Sequence, residues 1–156
     1  MKKYAVFLAL GLSLGFTSCT KCDDDTTAPE PTRTELLTSH DWRIISRMTT
    51  TSNNATGSSS TTNSYQSCDA DDFIQFQASG TFKYNDGTFL CEPTFIHAFT
   101  AVWTLNTNET KIQINRSNNP LNELEILELT AEKLVVKTSR TEQGYTYTSI
   151  ETYMQP

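Results

Sequence analysis

The sequence predicts an all-β domain, and two observations carry that prediction. Runs rich in β-branched and aromatic residues repeat along residues 42–154, and Gly, Asn, Asp and Ser separate them. After a short segment near residue 35, no part of the chain shows a convincing helical period of 3.6 residues. Because the links between runs are mostly short, we expect antiparallel hairpins.

The elements follow one another in a simple order. Thr34 is a suitable N-cap for a short helical turn over Glu35–Thr38. Eight strands are then predicted, at Trp42–Thr49, Phe73–Gln77, Thr81–Asn85, Phe95–Leu105, Lys111–Arg116, Glu123–Leu129, Lys133–Ser139 and Tyr145–Met154. The 19-residue stretch Thr49–Ser67 is rich in Ser, Thr and Asn, so we predict a long loop there. Two interpretations are open: a functional loop that covers a cavity as a lid, or a mobile loop or extended hairpin without a ligand role.

The register of the second hairpin can be predicted. Its link, residues 78–80, ends in Gly, which suits the left-handed position of a three-residue loop. With that turn, Phe76 faces Phe82 and Ile74 faces Tyr84, so apolar partners meet on one face of the hairpin.

Eight sequential strands suit an up-and-down barrel, which leaves no free edge. A β-sandwich of seven to nine strands is the alternative. Alternation predicts the inward residues as Trp42, Ile44, Ile74, Phe76, Phe82, Tyr84, Phe99, Trp103, Leu105, Ile112, Ile114, Leu124, Ile126, Leu134 and Val136. On the last strand the inward face is ambiguous, since large apolar or aromatic residues lie on both faces. Tyr145, Tyr147 and Tyr153 lie on one face, and Ile150 and Met154 lie on the other.

The N-terminus has the layout of a secretory signal peptide, predicted over residues 1–18. Lys2 and Lys3 precede an apolar run at residues 4–16. That run of about 13 residues is shorter than the ~20 needed to span a bilayer. A buried N-terminal element is the alternative.

The segment Phe16-Thr17-Ser18-Cys19 resembles the lipobox of bacterial lipoproteins. The resemblance implies that Cys19 is lipidated and becomes the first residue of the mature chain, anchored in the bilayer. Cys22 is the alternative lipidation site, but Lys21 precedes it, where the lipobox has a small residue. The stretch Lys21–Asp25 resembles the acidic export signal of Bacteroidetes lipoproteins, which implies the outer membrane and display on the cell surface. The periplasmic face is the alternative location.

Residues 19–33 are predicted to be an acidic tether containing Pro and Thr, and residues 34–156 the barrel domain. As a coil, the tether would span roughly 20 Å. Signal cleavage would remove two lysines and no acid, so the net charge would fall from −6 to −8. An acidic domain disfavours nucleic acid as a partner, since that binding depends on Lys and Arg contacts to phosphate.

Two of the four cysteines, Cys68 and Cys91, are predicted to form a disulfide across the open end of the second hairpin. Export to an oxidising compartment favours the bond. The alternative is that the thiols stay unpaired.

An ordered series of residues resembles the lipocalin-like domain of Bacteroidetes lipoproteins. The series is Leu36-Leu37, Trp42, Cys68, Asp71-Asp72, Phe76, Gly80-Thr81-Phe82, Cys91, Trp103-Thr104-Leu105, Leu129-Thr130, Leu134 and Thr152-Tyr153. Two positions depart from the pattern. Strand four usually opens with Gly-Thr-Trp, whereas here Val102 precedes the Trp. True lipocalins carry Gly two residues before the first Trp, whereas this chain has His40 there. The resemblance implies a barrel that can enclose a ligand.

The sequence predicts binding rather than catalysis. It has only two histidines, His40 and His97, and lacks nucleophile, phosphate-loop and His-x-x-x-His metal motifs. No cofactor or metal is predicted, because Asp69, Asp71 and Asp72 lack EF-hand spacing and suit a capped turn. The predicted ligand is a small apolar or amphipathic molecule, with Trp42, Phe76, Tyr84, His97, Phe99 and Trp103 as its contacts. The alternative for His97 is an exposed or hydrogen-bonded residue at a strand start. The alternative function is a structural or interaction lipoprotein with a packed core.

Overall fold

The computed structural model describes residues 29–92, 97–117 and 122–156. The predicted signal peptide, Cys19, Cys22 and most of the tether lie outside the described residues, as does Phe95 of the predicted fourth strand. Among the described residues, no helix is both long and apolar enough to cross a membrane. The elements are helix α1 (Arg33–Thr38), β1 (Trp42–Asn53), β2 (Ser59–Asn63), a 3₁₀ helix (Ser67–Asp71), β3 (Phe73–Phe76), β4 (Thr81–Asn85), β5 (Ala98–Leu105), β6 (Lys111–Asn115), β7 (Asn122–Leu129), β8 (Lys133–Glu142) and β9 (Tyr145–Met154).

Eight strands, β1 and β3 to β9, close an antiparallel barrel, which confirms the predicted fold. From β3 onward each strand pairs with the next in sequence. Strand β1 completes the ring by pairing with β3 at Trp42 and Arg43 on one side and with β9 on the other. The sheet therefore has an inner face that surrounds a lumen.

A ninth strand, β2, occupies part of the segment that was predicted as a long loop. Its residues pair with the outer half of β1, from Met48 opposite Asn63 to Ser52 opposite Ser59. Every β2 residue is exposed. Threonine suits a strand because it is β-branched, and the Thr50 and Thr61 hydroxyls lie 2.7 Å apart across the pair. The extended hairpin, which was the alternative, is the observed arrangement.

Helix α1 closes one end of the barrel. It begins two residues earlier than predicted, because Thr32 rather than Thr34 is the N-cap and forms a capping box with Glu35. Leu37 is fully buried, and its carbonyl accepts a hydrogen bond from Trp42 Nε1 at 2.9 Å. This end is called the closed end below, and the end at the β8–β9 turn is called the mouth.

The predicted register of the β3–β4 hairpin is confirmed. Phe76 pairs with Phe82 and Ile74 with Tyr84, and Gly80 adopts φ 84° at the turn. All fifteen residues predicted to face inward belong to the core or pack against it. Leu37 and Tyr153 complete the core, so the Tyr153 parity of the last strand is the inward one.

Candidate functional site

The half of the lumen near the closed end is filled by aromatic side chains. Trp42 is 0% exposed, Phe76 1% and Trp103 6%. The Phe76 ring lies 5.2 Å from that of Trp103 and 5.3 Å from that of Phe82, at the tilted angles that aromatic pairs prefer. Trp103 Nε1 donates to the Gln77 carbonyl at 3.0 Å. This half is therefore a packed core.

A β-bulge changes the character of the lumen halfway along β1. The pairing with β9 shifts between Ile44 and Ser46, so that Ile45 is an extra residue and is 48% exposed. Before the bulge Trp42 and Ile44 face inward. After it the inward residues are Arg47 and Thr49, so the mouth half of β1 presents polar side chains to the lumen.

Beyond the bulge lies a cavity of about 680 Å³ between β7, β8, β9 and β1. Hydroxyl, amide and aromatic groups dominate its wall. The lining residues are Thr49, Asn122, Glu123, Thr138, Ser139, Arg140, Tyr147 and Ser149. Ser149 Oγ is buried there and has no hydrogen-bond partner among the described residues. Such an atom is available to a ligand or water, since buried polar groups normally have a partner.

An ion-pair network separates this cavity from the opposite wall. Arg47 Nε donates to Glu151 at 2.9 Å, and Arg47 Nη1 donates to Asp69 at 3.0 Å. Burial lowers the pKa of Arg47, but the two carboxylates outweigh burial and hold it above the usual value. Tyr153 Oη donates to Glu151 at 2.6 Å. The network keeps Arg47 charged on the inner face of β1.

The opposite wall forms a smaller acidic cavity of about 300 Å³. Burial, together with the carboxylates of Asp86 and Asp69, raises the pKa of Asp72 to about 6. Tyr84 Oη donates to Asp72 at 3.3 Å. Burial and the neighbouring carboxylates also raise the pKa of Tyr84. His97 Nδ1 lies 3.0 Å from Asp86 Oδ2.

The disulfide Cys68–Cys91 is present, with a Cα–Cα distance of 5.2 Å. Cys68 lies on the 3₁₀ helix rather than on an extended strand, so the bond ties that helix to the segment after β4. Asp71 reinforces the link, since its carboxylate accepts from the amides of Thr88 and Phe89. Hydrogen bonds from these backbone and hydroxyl donors outweigh burial and lower its pKa. Within the described part of the chain, no cluster of His, Cys, Asp and Glu could hold a metal ion.

Two arginines stack on aromatic rings at the mouth. The Arg116 guanidinium lies 4.4 Å from the Phe99 ring centre, and that of Arg140 lies 5.1 Å from the Tyr147 ring centre. Both contacts are within cation–π range. Neither arginine takes part in an ion pair of the described residues.

The six residues predicted to contact a ligand fall into two groups. Trp42, Phe76 and Trp103 are packed in the core and line neither of the two cavities described above. The other three, Tyr84, His97 and Phe99, are half-buried beyond that core. Tyr84 lines the acidic cavity, and its ring lies 5.3 Å from that of Phe99. His97 has the hydrogen bond that its alternative interpretation expected.

The sequence prediction missed the residues that line the 680 Å³ cavity. Thr138, Tyr147 and Ser149 lie on strand segments whose two faces are both polar, so alternation gave no inward face. One signal was present, since Tyr147 shares its parity with the buried Tyr153.

The chain belongs to the lipocalin-like domain family, whose pattern matches residues 39–136, more than half of the chain. Barrels of this kind are typical of non-enzymatic proteins that bind small hydrophobic molecules. The chain is also similar to a solved structure, the bovine odorant binding protein deswapped triple mutant. The identity is 13%, the match covers 74% of this chain and 71% of that chain, and the TM-score is 0.43. A TM-score of this size at 13% identity is too low to indicate a function. No curated protein matches the chain.

Proposed function

We propose that this protein is a membrane-anchored lipoprotein whose barrel binds one small amphipathic molecule and does no catalysis. The observation that carries the proposal is the cavity of about 680 Å³ in the mouth half of the lumen. Its volume falls within the roughly 300–1,000 Å³ of small-molecule sites. Its wall combines threonine methyl groups and the Tyr147 ring with hydroxyl groups that can orient a ligand.

The packed core assigns different roles to the predicted contact residues. In this proposal Trp42, Phe76 and Trp103 form the floor of the site, since all three side chains are buried in the core. Phe99, half-buried above them, is the aromatic residue of this set best placed to meet an apolar group that enters from the mouth.

The anchor is proposed at Cys19, with the mature protein on the outer membrane and facing the cell exterior. Support comes from the lipobox-like segment and from the acidic stretch that follows it. The chain then reaches the barrel through α1, at the closed end. In this arrangement the mouth faces away from the bilayer, and the ligand enters from the surrounding medium.

Ligand binding is tested with full-length protein in detergent, by thermal shift and calorimetry against a panel of small amphipathic molecules. Ser149→Leu fills the cavity, whereas Thr148→Leu changes the adjacent residue, which points to the outer face of β9. We expect Ser149→Leu to abolish binding and Thr148→Leu to retain it. Equal binding by both variants would place the ligand elsewhere, and no binding by the parent protein would refute the proposed function.

Anchoring is tested separately by cell fractionation. Cys19→Ser should move the protein from the membrane fraction to the soluble fraction, with loss of the acyl mass. Retention of Cys19→Ser in the membrane would contradict the proposed anchor without affecting the ligand result.

One observation favours a second candidate, a lipoprotein that acts through a protein partner. Phe89 is 69% exposed and Leu90 40% exposed in a shallow depression beside the 3₁₀ helix. Clustered exposed apolar residues often mark interaction sites. A photo-crosslinker at position 89 should capture a partner that one at Val102, 59% exposed on the barrel wall, does not. Equal capture at both positions would count against this surface.

A further inference from the structure

We infer that the ligand of the mouth cavity carries an anionic headgroup, which binds at Arg140 on the cavity wall, with Arg116 as a second cation near the mouth. This inference rests on the proposed function, since it names the chemical class of the molecule that the lumen takes. Its first support is the position of the two guanidinium groups. Each stacks on a ring that belongs to the inner face of the barrel, Phe99 for Arg116 and Tyr147 for Arg140.

The strand register places both arginines near the mouth, on the two strands that flank β7. Ile114 on β6 pairs with Asn122, the first residue of β7, and Arg116 follows two residues further toward the mouth. On β8, Lys137 pairs with Glu125 of β7, and Arg140 lies three residues further toward the mouth, where it pairs with Tyr147 of β9 and lines the cavity. This part of the barrel, from β6 to β8, is called the arginine wall.

The charge of this wall is not neutralised by the described protein. Glu123, the only acid among the residues that line the cavity, is occupied: Lys111 Nζ donates to it at 2.9 Å and Gln113 Nε2 at 3.1 Å. The guanidinium groups have no carboxylate partner within 4 Å among the described residues. Stacking also fixes the planes of the guanidinium groups, so less freedom is lost when they bind an oxyanion.

The acids on the opposite wall are not available to bind a cationic headgroup, because each already has a partner. Asp69 and Glu151 share Arg47, and Asp86 lies against His97. Asp72 is 5% exposed and accepts from Tyr84. Among the cavities described above, a cation with no ion pair to a described residue therefore lines only the one that contains Arg140.

The apolar part of the ligand has a defined place. Arg140 and Tyr147 both line the cavity, and Ser149 Oγ lies deeper on β9 with its hydrogen-bonding capacity unused. A carboxylate or phosphate at the arginines would leave the attached chain against Tyr147 and the threonine methyl groups. Charge-assisted hydrogen bonds from Arg to an oxyanion are about twice as strong as neutral ones, so the headgroup should dominate selectivity.

The experiment compares decanoate, decyl phosphate, decanol and decylamine, which share one chain and differ in headgroup. Calorimetry is done on the full-length protein in detergent at about 0.15 M salt, where exposed charges are screened beyond ~8 Å. We expect at least one of the two anions to bind about tenfold or more tightly than decanol, and decylamine to bind most weakly. The better anion identifies the headgroup as a carboxylate or a phosphate.

Arg116→Gln/Arg140→Gln is the decisive variant, and Arg43→Gln, an exposed arginine on the outer wall of β1, is its matched control. The double variant should bind decanoate and decanol with equal affinity, whereas the control should keep the anion preference. Decanol binding as tight as both anions, or a preference that survives the double variant, would overturn the anionic headgroup and leave ligand binding intact. Absence of binding by all four molecules would overturn both the inference and the proposed function.

Discussion

Replacing Arg47 by alanine should lower the free energy of unfolding by about 2–4 kcal/mol. The substitution removes two charge-assisted hydrogen bonds, to Glu151 at 2.9 Å and to Asp69 at 3.0 Å. Bonds of this kind contribute ~1.5–3 kcal/mol each, and loss of one partner of a buried pair costs ~3–5 kcal/mol. The Arg47 side chain is 25% exposed, which reduces these values through solvent screening.

The assay is urea denaturation at pH 7 with the disulfide intact, followed by tryptophan fluorescence. Arg43→Ala is the control, since this arginine is exposed and faces outward, and its change should stay within about 0.5 kcal/mol. If the loss arises from carboxylates left without a partner, then Arg47→Met combined with Asp69→Asn and Glu151→Gln should recover most of it. A loss below about 0.5 kcal/mol for Arg47→Ala would refute the reasoning, because the network would then contribute no more than an exposed surface pair.

Three further changes test other parts of the barrel. Because the folded pKa of Asp72 is raised to about 6, the native state binds more protons than the unfolded state between about pH 4 and 6, and stability falls as the pH rises through that window. Asp72→Asn should remove this loss and stabilise the protein by roughly 1–3 kcal/mol at pH 7, measured by urea denaturation across pH 4–8. Removal of the disulfide by Cys68→Ser/Cys91→Ser, which opens a loop of sequence separation 23, should cost about 3 kcal/mol in the same assay. Gly87→Ala should destabilise more than Gly57→Ala in thermal unfolding: both have positive φ, but only at Gly87 would a Cβ collide with a neighbouring carboxylate.

Each of these has an outcome that would contradict it. A flat difference between Asp72→Asn and the parent from pH 4 to 8 would mean that this carboxyl has an ordinary pKa. An unchanged urea midpoint without the disulfide would mean that the 3₁₀ helix is held by other contacts. Equal melting temperatures for the two glycine variants would mean that the segment after β4 shifts without cost.

The alternation of apolar and polar residues identified the fold and the core, because a strand with one buried face carries an apolar residue at every second position. Phe76, Phe82 and Trp103 all face inward as predicted, since one face of each strand is apolar and the other polar. The helix N-cap was predicted two residues too late, because Thr32 and Thr34 are both good caps. Only the capping box with Glu35 separates them.

The candidate site was less predictable, for two physical reasons. The outer halves of β1, β8 and β9 are polar on both faces, so residues such as Thr138 and Ser149 give no signal of which way they point. Strand β2 is built from Ser, Thr and Asn and contributes no core residue, so the sequence predicted a loop there. The β1 bulge at Ile45 has no glycine or other marker in the sequence, although it determines that Arg47 faces inward.

That bulge also determines how β1 responds to a change in its length. If residue 45 were deleted while the β1–β9 pairing was kept, Ser46 would follow Ile44 in regular alternation, and Arg47 and Thr49 would still face the lumen beside Glu151 and Ser149. A single in-frame codon loss at this position would therefore straighten the strand and leave the cavity wall unchanged. If the strand straightened with residue 45 retained, the pairing would slip by one residue, and Met48 would turn into the barrel while Arg47 and Thr49 turned out to solvent. We therefore expect the ligand site of related barrels to tolerate a deletion here but not the loss of the bulge at constant length.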